Sequence, residues 1–351
     1  HPIIQTATKG RNDMRNTSKM TTLENKFPLL AVEHGCIISK DADITVAFEV
    51  ELPELYTVTD AEYEAIHGCW CKAIKVLPYF CVVHKQDWFI KEKYMPELQK
   101  DDMSFLSRSF ERHFNERPYL KHSCYLYLTK TTKERMRMQS SFSSLCRGFI
   151  IPKEVDKDTT AHFLDTVGQF ARIVNDTGLV HLRRLVGDEI TGTEDKAGLV
   201  EKYFCLSMEN TTALEDIELG DDGLRVGDKH VSVHTLSELD ALPNKVGTDC
   251  RYERLSTDKS DCKLSFASPV GLLLSCNHLY NQYIFLDDSG ENLQRFEKSA
   301  RNMQSLSKYS RSNQINKEWI DLYLNDAHSF GLTSVRAHCN VIAWTDNPME
   351  V

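Results

Sequence analysis

None of the 16 glycines in this 351-residue chain is followed by lysine. A nucleotide-binding P-loop needs Gly-Lys-Ser/Thr, in which backbone N–H groups and the lysine side chain hold the phosphates. Residues 192–196 come nearest to this pattern, but they contain two acidic residues that would repel a triphosphate. The Gly-x-Ser-x-Gly and His-Glu-x-x-His motifs of hydrolases are missing as well. We therefore expect no catalytic residue and no cofactor-binding residue in this chain.

Long apolar runs and a positive net charge are also missing. The most apolar stretch, Val270–Cys276, is far shorter than the roughly 20 residues that span a bilayer. The formal net charge is −9, so the surface as a whole repels phosphate backbones. The rest of the composition is that of an ordinary soluble globular protein. We therefore expect membrane contact only through a partner or a surface, and we do not expect DNA to be the main partner.

The cysteines show no regular disulfide framework. There are 11 of them, and no secretory signal peptide is recognisable. This usage predicts reduced thiols in a cytosolic compartment. Cys146 stands beside Arg147, a neighbour that lowers thiol pKa values in some reactive sites. We interpret this pairing as incidental.

Five residues of metal-binding types invite a zinc interpretation: His67, Cys69, Cys71, Cys81 and His84. The first three lie in a predicted helix. Two positions along a helix correspond to about 200° of rotation, so Cys69 and Cys71 point to nearly opposite sides. We predict that no metal is bound and that these cysteines pack as small hydrophobic side chains. A Cys/His metal-dependent enzyme is the weaker alternative.

The first half of the chain has an α+β pattern. Apolar residues alternate along Ile44–Leu52, as in a strand with one buried face. Thr59 and Glu62 form a capping-box signature, and helical spacing continues to Pro78. Further elements are predicted at 79–86 (strand), 103–114 (helix) and 122–129 (strand). This order predicts a ferredoxin-like antiparallel sheet with packed helices and an extra hairpin strand at Gly35–Ser39.

We expect three segments along the chain. Residues 1–13 are a tag-like or upstream segment before Met14, residues 14–150 an N-terminal α+β domain, and residues 151–351 a second domain with helices and strands. In the second domain, helices are predicted at 163–174, 194–206, 291–306 and 317–329, and strands near Tyr283 and along Val335–Ala343. Residues 215–260 have too weak a pattern to place. Because the pattern stops just after Pro348, we expect the second unit to be truncated.

Two basic tracts stand out in this acidic chain. One follows a predicted strand and contains Lys130, Lys133, Arg135 and Arg137. The other lies in a helical region and contains Lys298, Arg301, Lys308, Arg311 and Lys317. A solvated face explains such tracts in most proteins. The alternative is a docking patch for anionic lipid, for an acidic partner or for DNA, and we assign this candidate role to the second tract.

Several segments together resemble the N-terminal region of the TraG proteins of Bacteroides-group conjugative transposons. They are Phe27–Leu30, the hairpin Gly35–Glu51, Leu52–Glu54, the helix around Trp70 and Val83–Trp88. The likeness runs from about Met14 to the end of the chain. Full-length members of this family are similar to the large ATPases of type IV secretion systems.

The resemblance implies an N-terminal α/β domain that precedes a RecA-like motor, with ATP and Mg²⁺ bound only in that motor. It also implies a cytoplasmic position at the inner face of the inner membrane, reached through partners. We therefore expect a non-catalytic assembly and docking domain for DNA transfer between bacteria. Its expected partners are its own motor domain, further copies of itself in dimers or hexamers, and inner-membrane secretion components.

Overall fold

The structure, a computed structural model, describes residues 27–54, 57–94, 104–132, 157–207, 214–220, 223–236, 250–254, 256–259, 261, 263–264 and 267–347. Within these ranges the chain forms 13 strands and eight helices. The α+β class predicted from the sequence is confirmed.

The strands are β1 (Leu29–Glu33), β2 (Cys36–Ser39), β3 (Ile44–Glu51), β4 (Cys81–Glu92), β5 (Tyr119–Lys130), β6 (His181–Arg184), β7 (Ile217–Gly220), β8 (Gly223–Val226), β9 (Lys229–Thr235), β10 (Cys250–Arg251), β11 (Lys263–Leu264), β12 (Asn277–Leu286) and β13 (Val335–Thr345). The helices are α1 (Asp60–Val76), α2 (Phe105–Asn115), α3 (Lys157–Asn175), α4 (Asp188–Thr191), α5 (Lys202–Cys205), α6 (Ser268–Leu272), α7 (Ser289–Leu306) and α8 (Arg311–Phe330).

The expected ferredoxin-like arrangement is formed by β3, α1, β4, β5, α3 and β6. Its four strands lie in the order β6-β3-β5-β4, and all neighbouring strands are antiparallel. Strands β3 and β4 therefore run in the same direction, with β5 between them. Helix α3 packs against α1 and leads into β6. Both α3 and β6 lie beyond residue 150 and complete this unit.

The predicted extra hairpin strand is also present. His34 and Gly35 both have positive φ, 52° and 69°, as a two-residue type I′ turn requires. This turn joins β1 to β2, and β2 pairs with the first half of β3. Strand β6 pairs with the second half, at Phe48–Glu51. The hairpin and the last strand of the ferredoxin-like unit thus share one edge of β3.

The sheet continues without interruption into the second half of the chain. Strand β12 pairs with β4 from His278↔Phe89 to Leu286↔Cys81. The order then runs β12-β13-β9-β8-β7, which gives one sheet of 11 strands when β6 is included. Helices α7 and α8 form a helical hairpin between β12 and β13. The weakly patterned region contains the antiparallel strands β7, β8 and β9.

Each face of the sheet carries its own hydrophobic cluster. On one face, α1 and α3 cover side chains such as Val46, Phe48 and Leu126. On the other face, the segment Leu185–Leu206 covers Ala47, Trp88 and Tyr127, among others. Burial on both faces explains why apolar alternation is weak in β4.

Two helix predictions have different outcomes. Thr59 and Glu62 form the full capping box at the start of α1, with Glu62 N–H donating to Thr59 Oγ1 (3.3 Å) and Thr59 N–H donating to Glu62 Oε2 (2.8 Å). The helix predicted at 194–206 is wrong, since only Lys202–Cys205 is helical. Gly198 lies against the backbone of Gly192, where a Cβ atom would come within 2.1 Å of the Gly192 nitrogen. This close approach folds the segment back on itself.

Candidate functional site

The structure places all five residues of the predicted docking patch on the α7–α8 helical hairpin. Lys298 and Arg301 lie on α7, Lys308 lies in the turn, and Arg311 and Lys317 lie on α8. Arg301 is 3.6 Å from Glu297, and Lys317 is 3.0 Å from Asp321. Among the side chains that the structure describes, no ion pair involves the other three. The patch therefore presents at least three cations to solvent.

The same hairpin exposes several large apolar side chains. They are Phe296, Leu306, Tyr309, Ile315, Trp319 and Leu322. The buried side chains of the two helices are Ala300 and Ala327, and the rings of Phe296 and Tyr323 lie 5.0 Å apart between the helices. No α7 or α8 residue belongs to either hydrophobic cluster of the sheet. The hairpin thus packs mainly on itself.

A shallow groove of about 540 Å³ lies at the turn of this hairpin. Lys308 and Arg311 line it together with Tyr309, Ile315 and one acidic residue, Glu318. Cations beside apolar surface fit a partner that is both acidic and partly apolar.

The other basic tract differs. Lys130 Nζ donates to the carbonyl oxygen of Tyr79 and lies 5.5 Å from the centre of the Phe80 ring. Burial lowers the pKa of Lys130. Its side chain is therefore part of the local packing. Lys133, Arg135 and Arg137 lie outside the described residues, as do Cys146 and Arg147.

The five residues considered for zinc are not brought together. Cys69 is buried, whereas Cys71 is exposed, with its Sγ 3.7 Å from His67 Nε2. Cys81 lies in the core beneath α1, where burial raises its pKa to about 12. His84 faces the other side of the sheet. Across the described part of the chain, no group of three or more His, Cys, Asp or Glu side chains has a metal-binding arrangement.

Sequence reasoning missed a buried hydrogen-bond network at the centre of the sheet. Gln86 is 1% exposed, and its Nε2 donates to Tyr203 Oη (2.6 Å) and Asn281 Oδ1 (2.9 Å). Its Oε1 accepts from Trp88 Nε1 (2.8 Å) and Tyr127 Oη (3.0 Å). All four hydrogen-bonding positions of the amide are filled. The network fastens β4 to β5, β12 and the covering segment.

His84 extends this network. Its ring stacks between Tyr127 and Tyr283, with centroid distances of 5.0 and 4.1 Å. Burial lowers the pKa of His84 to about 4, and a hydrogen bond to Asn281 opposes this shift only in part. Since Asn281 Oδ1 accepts from His84 Nε2 (2.8 Å), the neutral imidazole carries its proton on Nε2. This histidine is held by packing and does not titrate near neutral pH.

A charged cluster lies on the opposite face of β4. Asp87 accepts hydrogen bonds from Lys85 Nζ and from His122 Nε2 (2.8 Å). Burial alone would raise the pKa of Asp87, but Lys85 and His122 outweigh it and lower the pKa to about 2. Cys124 is adjacent, and burial raises its thiol pKa. A protonated thiol beside a paired carboxylate supports a structural role. The sequence signal was the polar run 84–87 inside an otherwise apolar strand.

Comparison with known protein families gives a match for the first part of the chain. Residues 16–68 match a family described as "Domain of unknown function, B. Theta Gene description (DUF3875)". The matched region contains β1, β2, β3 and the first part of α1. No curated protein matches the chain. Within the described ranges, the structure contains no helix long and apolar enough to cross a membrane.

Proposed function

We propose that this chain is a non-catalytic assembly and docking domain of a TraG-type conjugation ATPase. The observation that carries the proposal is the α7–α8 hairpin, which exposes large apolar side chains beside cations that have no ion partner among the described side chains. Contiguous exposed apolar surface with a charged rim is typical of protein interaction sites. The match to a family described from a B. theta gene is consistent with an origin in the Bacteroides group.

The proposed partners are the motor domain of the same protein, further copies of the chain and inner-membrane secretion components. These partners would hold the domain at the inner face of the inner membrane. ATP and Mg²⁺ belong to the motor in this proposal. The domain would contribute to DNA transfer between bacteria by positioning that motor.

Co-purification tests the proposal. The chain is expressed with the inner-membrane secretion components of its own system and recovered by an affinity tag. We expect these components to co-purify with the wild type and to be lost from a Lys298→Glu, Lys308→Glu, Arg311→Glu variant. Changing Lys72, Lys75 and Lys91 to glutamate alters the net charge equally on exposed sites elsewhere, and this control should retain them. If the secretion components are lost from both variants, or from neither, a docking role for the hairpin is contradicted.

A second candidate function is contact with DNA or anionic lipid through the same hairpin. The observation that favours it is charge density, because residues 295–317 contain six lysines and arginines and one glutamate. Binding to duplex DNA should then fall steeply with salt. A fluorescence-anisotropy titration at 50 and 200 mM salt measures this. Affinity that the Lys298→Glu, Lys308→Glu, Arg311→Glu variant leaves unchanged would exclude the hairpin as the contact.

The proposal also predicts the absence of nucleotide chemistry. The purified chain should neither bind ATP appreciably nor hydrolyse it, because no Gly-Lys-Ser/Thr sequence is present to hold the phosphates. Phosphate release is measured against a no-protein control. Turnover that survives a second purification would refute the non-catalytic assignment.

A further inference from the structure

The edge of the sheet farthest from the ferredoxin-like unit carries a concentrated negative charge. The described residues of this edge, 215–220 and 223–228, contain four aspartates and glutamates and one arginine. Asp216, Glu218 and Asp228 are exposed. Among the described side chains, no ion pair involves any of the three. We call residues 215–220 and 223–228 the acidic edge.

The acidic edge also exposes apolar side chains. Leu219 is 82% exposed and Ile217 is 48% exposed. Strand β7 ends the sheet, so the outer side of its backbone pairs with no other described strand. Exposed edge strands are sites of contact with other chains unless charge or covering segments protect them. The acidic edge therefore has the properties of an uncovered interaction surface.

The turn-side half of the α7–α8 hairpin has the opposite charge and a similar apolar content. Residues 295–317, which we call the basic tip, contain six basic residues and one acidic residue. Phe296, Leu306, Tyr309 and Ile315 are its exposed large apolar side chains. The two surfaces are thus opposite in the sign of their charge and both partly apolar.

We propose that the acidic edge of one copy docks on the basic tip of a second copy. The inference rests on the proposed function, in which the α7–α8 hairpin is a docking surface, and it names the partner of that surface. Opposite charges across an interface steer association and fix its register, while apolar contacts at its centre supply affinity. Within one chain, no ion pair between described side chains links the two surfaces.

Charge also decides the symmetry of this contact. An edge-to-edge or tip-to-tip dimer would place like charges opposite each other, and this repulsion disfavours such a dimer. The edge-to-tip contact avoids this repulsion. It is heterologous, so it leaves one free edge and one free tip in a dimer and propagates until a ring closes. The expected association is therefore concentration-dependent and proceeds beyond the dimer.

Salt should weaken the contact. Exposed charges interact over a Debye length of about 10 Å at 0.1 M ionic strength and about 3 Å at 1 M. We expect wild-type protein to sediment as oligomers at low salt and to shift toward monomer as salt rises. Sedimentation velocity over a concentration series measures the shift.

Two charge-reversal variants provide the decisive test. The acidic-tip variant carries Lys298→Glu, Lys308→Glu and Arg311→Glu. The basic-edge variant carries Asp216→Lys, Glu218→Lys and Asp228→Lys. Each variant alone has like charges on both surfaces and should be monomeric at low salt. An equimolar mixture restores opposite charges in both directions and should sediment as oligomers.

One control variant and two contrary outcomes complete this test. The Lys72→Glu, Lys75→Glu, Lys91→Glu variant has the same net charge as the acidic-tip variant and should associate like wild type. Circular dichroism confirms that every variant is folded. A wild type that stays monomeric at low salt, or a mixture that stays monomeric, would overturn the inference.

Further measurements separate this inference from the proposed function. If the mixture fails to associate while the acidic-tip variant still loses the secretion components, the self-contact is wrong and the docking role stands. Flotation of the wild type with vesicles of anionic phospholipid, without self-association, would assign the basic tip to lipid and would also overturn the inference.

Discussion

Replacing Asp87 with asparagine removes a buried negative charge from the strand that joins the two halves of the sheet. Asp87 is 3% exposed and accepts hydrogen bonds from Lys85 and His122. Removing one partner of a buried ion pair costs about 3–5 kcal/mol. The side chains of Lys85 and His122 are 27% and 36% exposed, so water compensates in part. We expect the substitution to lower the free energy of unfolding by about 2–3 kcal/mol at pH 7.

The pH dependence of this effect follows from the pKa of Asp87. Its value of about 2 in the folded protein lies below the value of about 3.9 for an unfolded aspartate. A carboxyl group with a lowered folded pKa contributes stability above its unfolded pKa, and this contribution is lost as the pH falls through the folded pKa. The difference corresponds to about 2–3 kcal/mol at pH 7, of which roughly half is left at pH 3.

Urea unfolding of the wild type and of Asp87→Asn at pH 7, 4 and 3 measures this dependence. The difference between the two proteins should narrow by about 1 kcal/mol between pH 7 and pH 3. Asp258→Asn changes an exposed loop residue and should stay within about 0.5 kcal/mol of wild type. A difference that stays constant down to pH 3, or a loss below 0.5 kcal/mol at pH 7, would refute the pairing argument.

Three further substitutions test the packing and the caps. Gln86→Leu leaves the former partners of the amide unsatisfied and should cost about 3 kcal/mol or more in urea unfolding. Thr59→Ala removes the capping box of α1 and should cost about 1 kcal/mol, with a matching loss of helical circular dichroism. Phe170 is fully buried, and Phe170→Ala should cost about 3–5 kcal/mol. Phe105 is 77% exposed, so Phe105→Ala should change stability by less than about 0.5 kcal/mol. Equal losses of stability from Phe170→Ala and Phe105→Ala would contradict the burial of Phe170.

Local signals predicted the ferredoxin-like unit well. The alternation along Ile44–Leu52 corresponds to β3 and the residue after it, and its apolar residues lie on the face covered by α1 and α3. The capping box marked the start of α1, and the short apolar run Gly35–Ser39 marked the hairpin strand β2. These features depend on neighbours in the sequence. They can be predicted because the interactions that cause them are local.

The network around Gln86 depends on distant residues. Gln86 and Asn281 are 195 positions apart and meet only because β4 pairs with β12. A strand that is covered on both faces also loses the simple alternation of a half-buried strand. The sequence therefore predicted a short strand at 79–86, whereas β4 extends to Glu92. The polar run 84–87 was the local signal, but it did not identify the partners of these side chains, because Tyr203 and Asn281 lie far along the chain.

Along the apolar stripe of α8, the residues that recur at helical spacing are only partly buried. The spacing of Trp319, Tyr323 and Ala327 predicts one buried face. Ala327 is buried and Tyr323 packs on α7, but Trp319 remains 54% exposed. The reason is that α8 packs mainly on α7, and one neighbouring helix covers only part of such a stripe. Exposed tryptophan is unfavourable in water unless another surface covers it. The residues that make α8 recognisable in the sequence therefore leave exposed apolar area beside the basic tip. A partner with acidic and apolar side chains would gain the most binding free energy by covering this area.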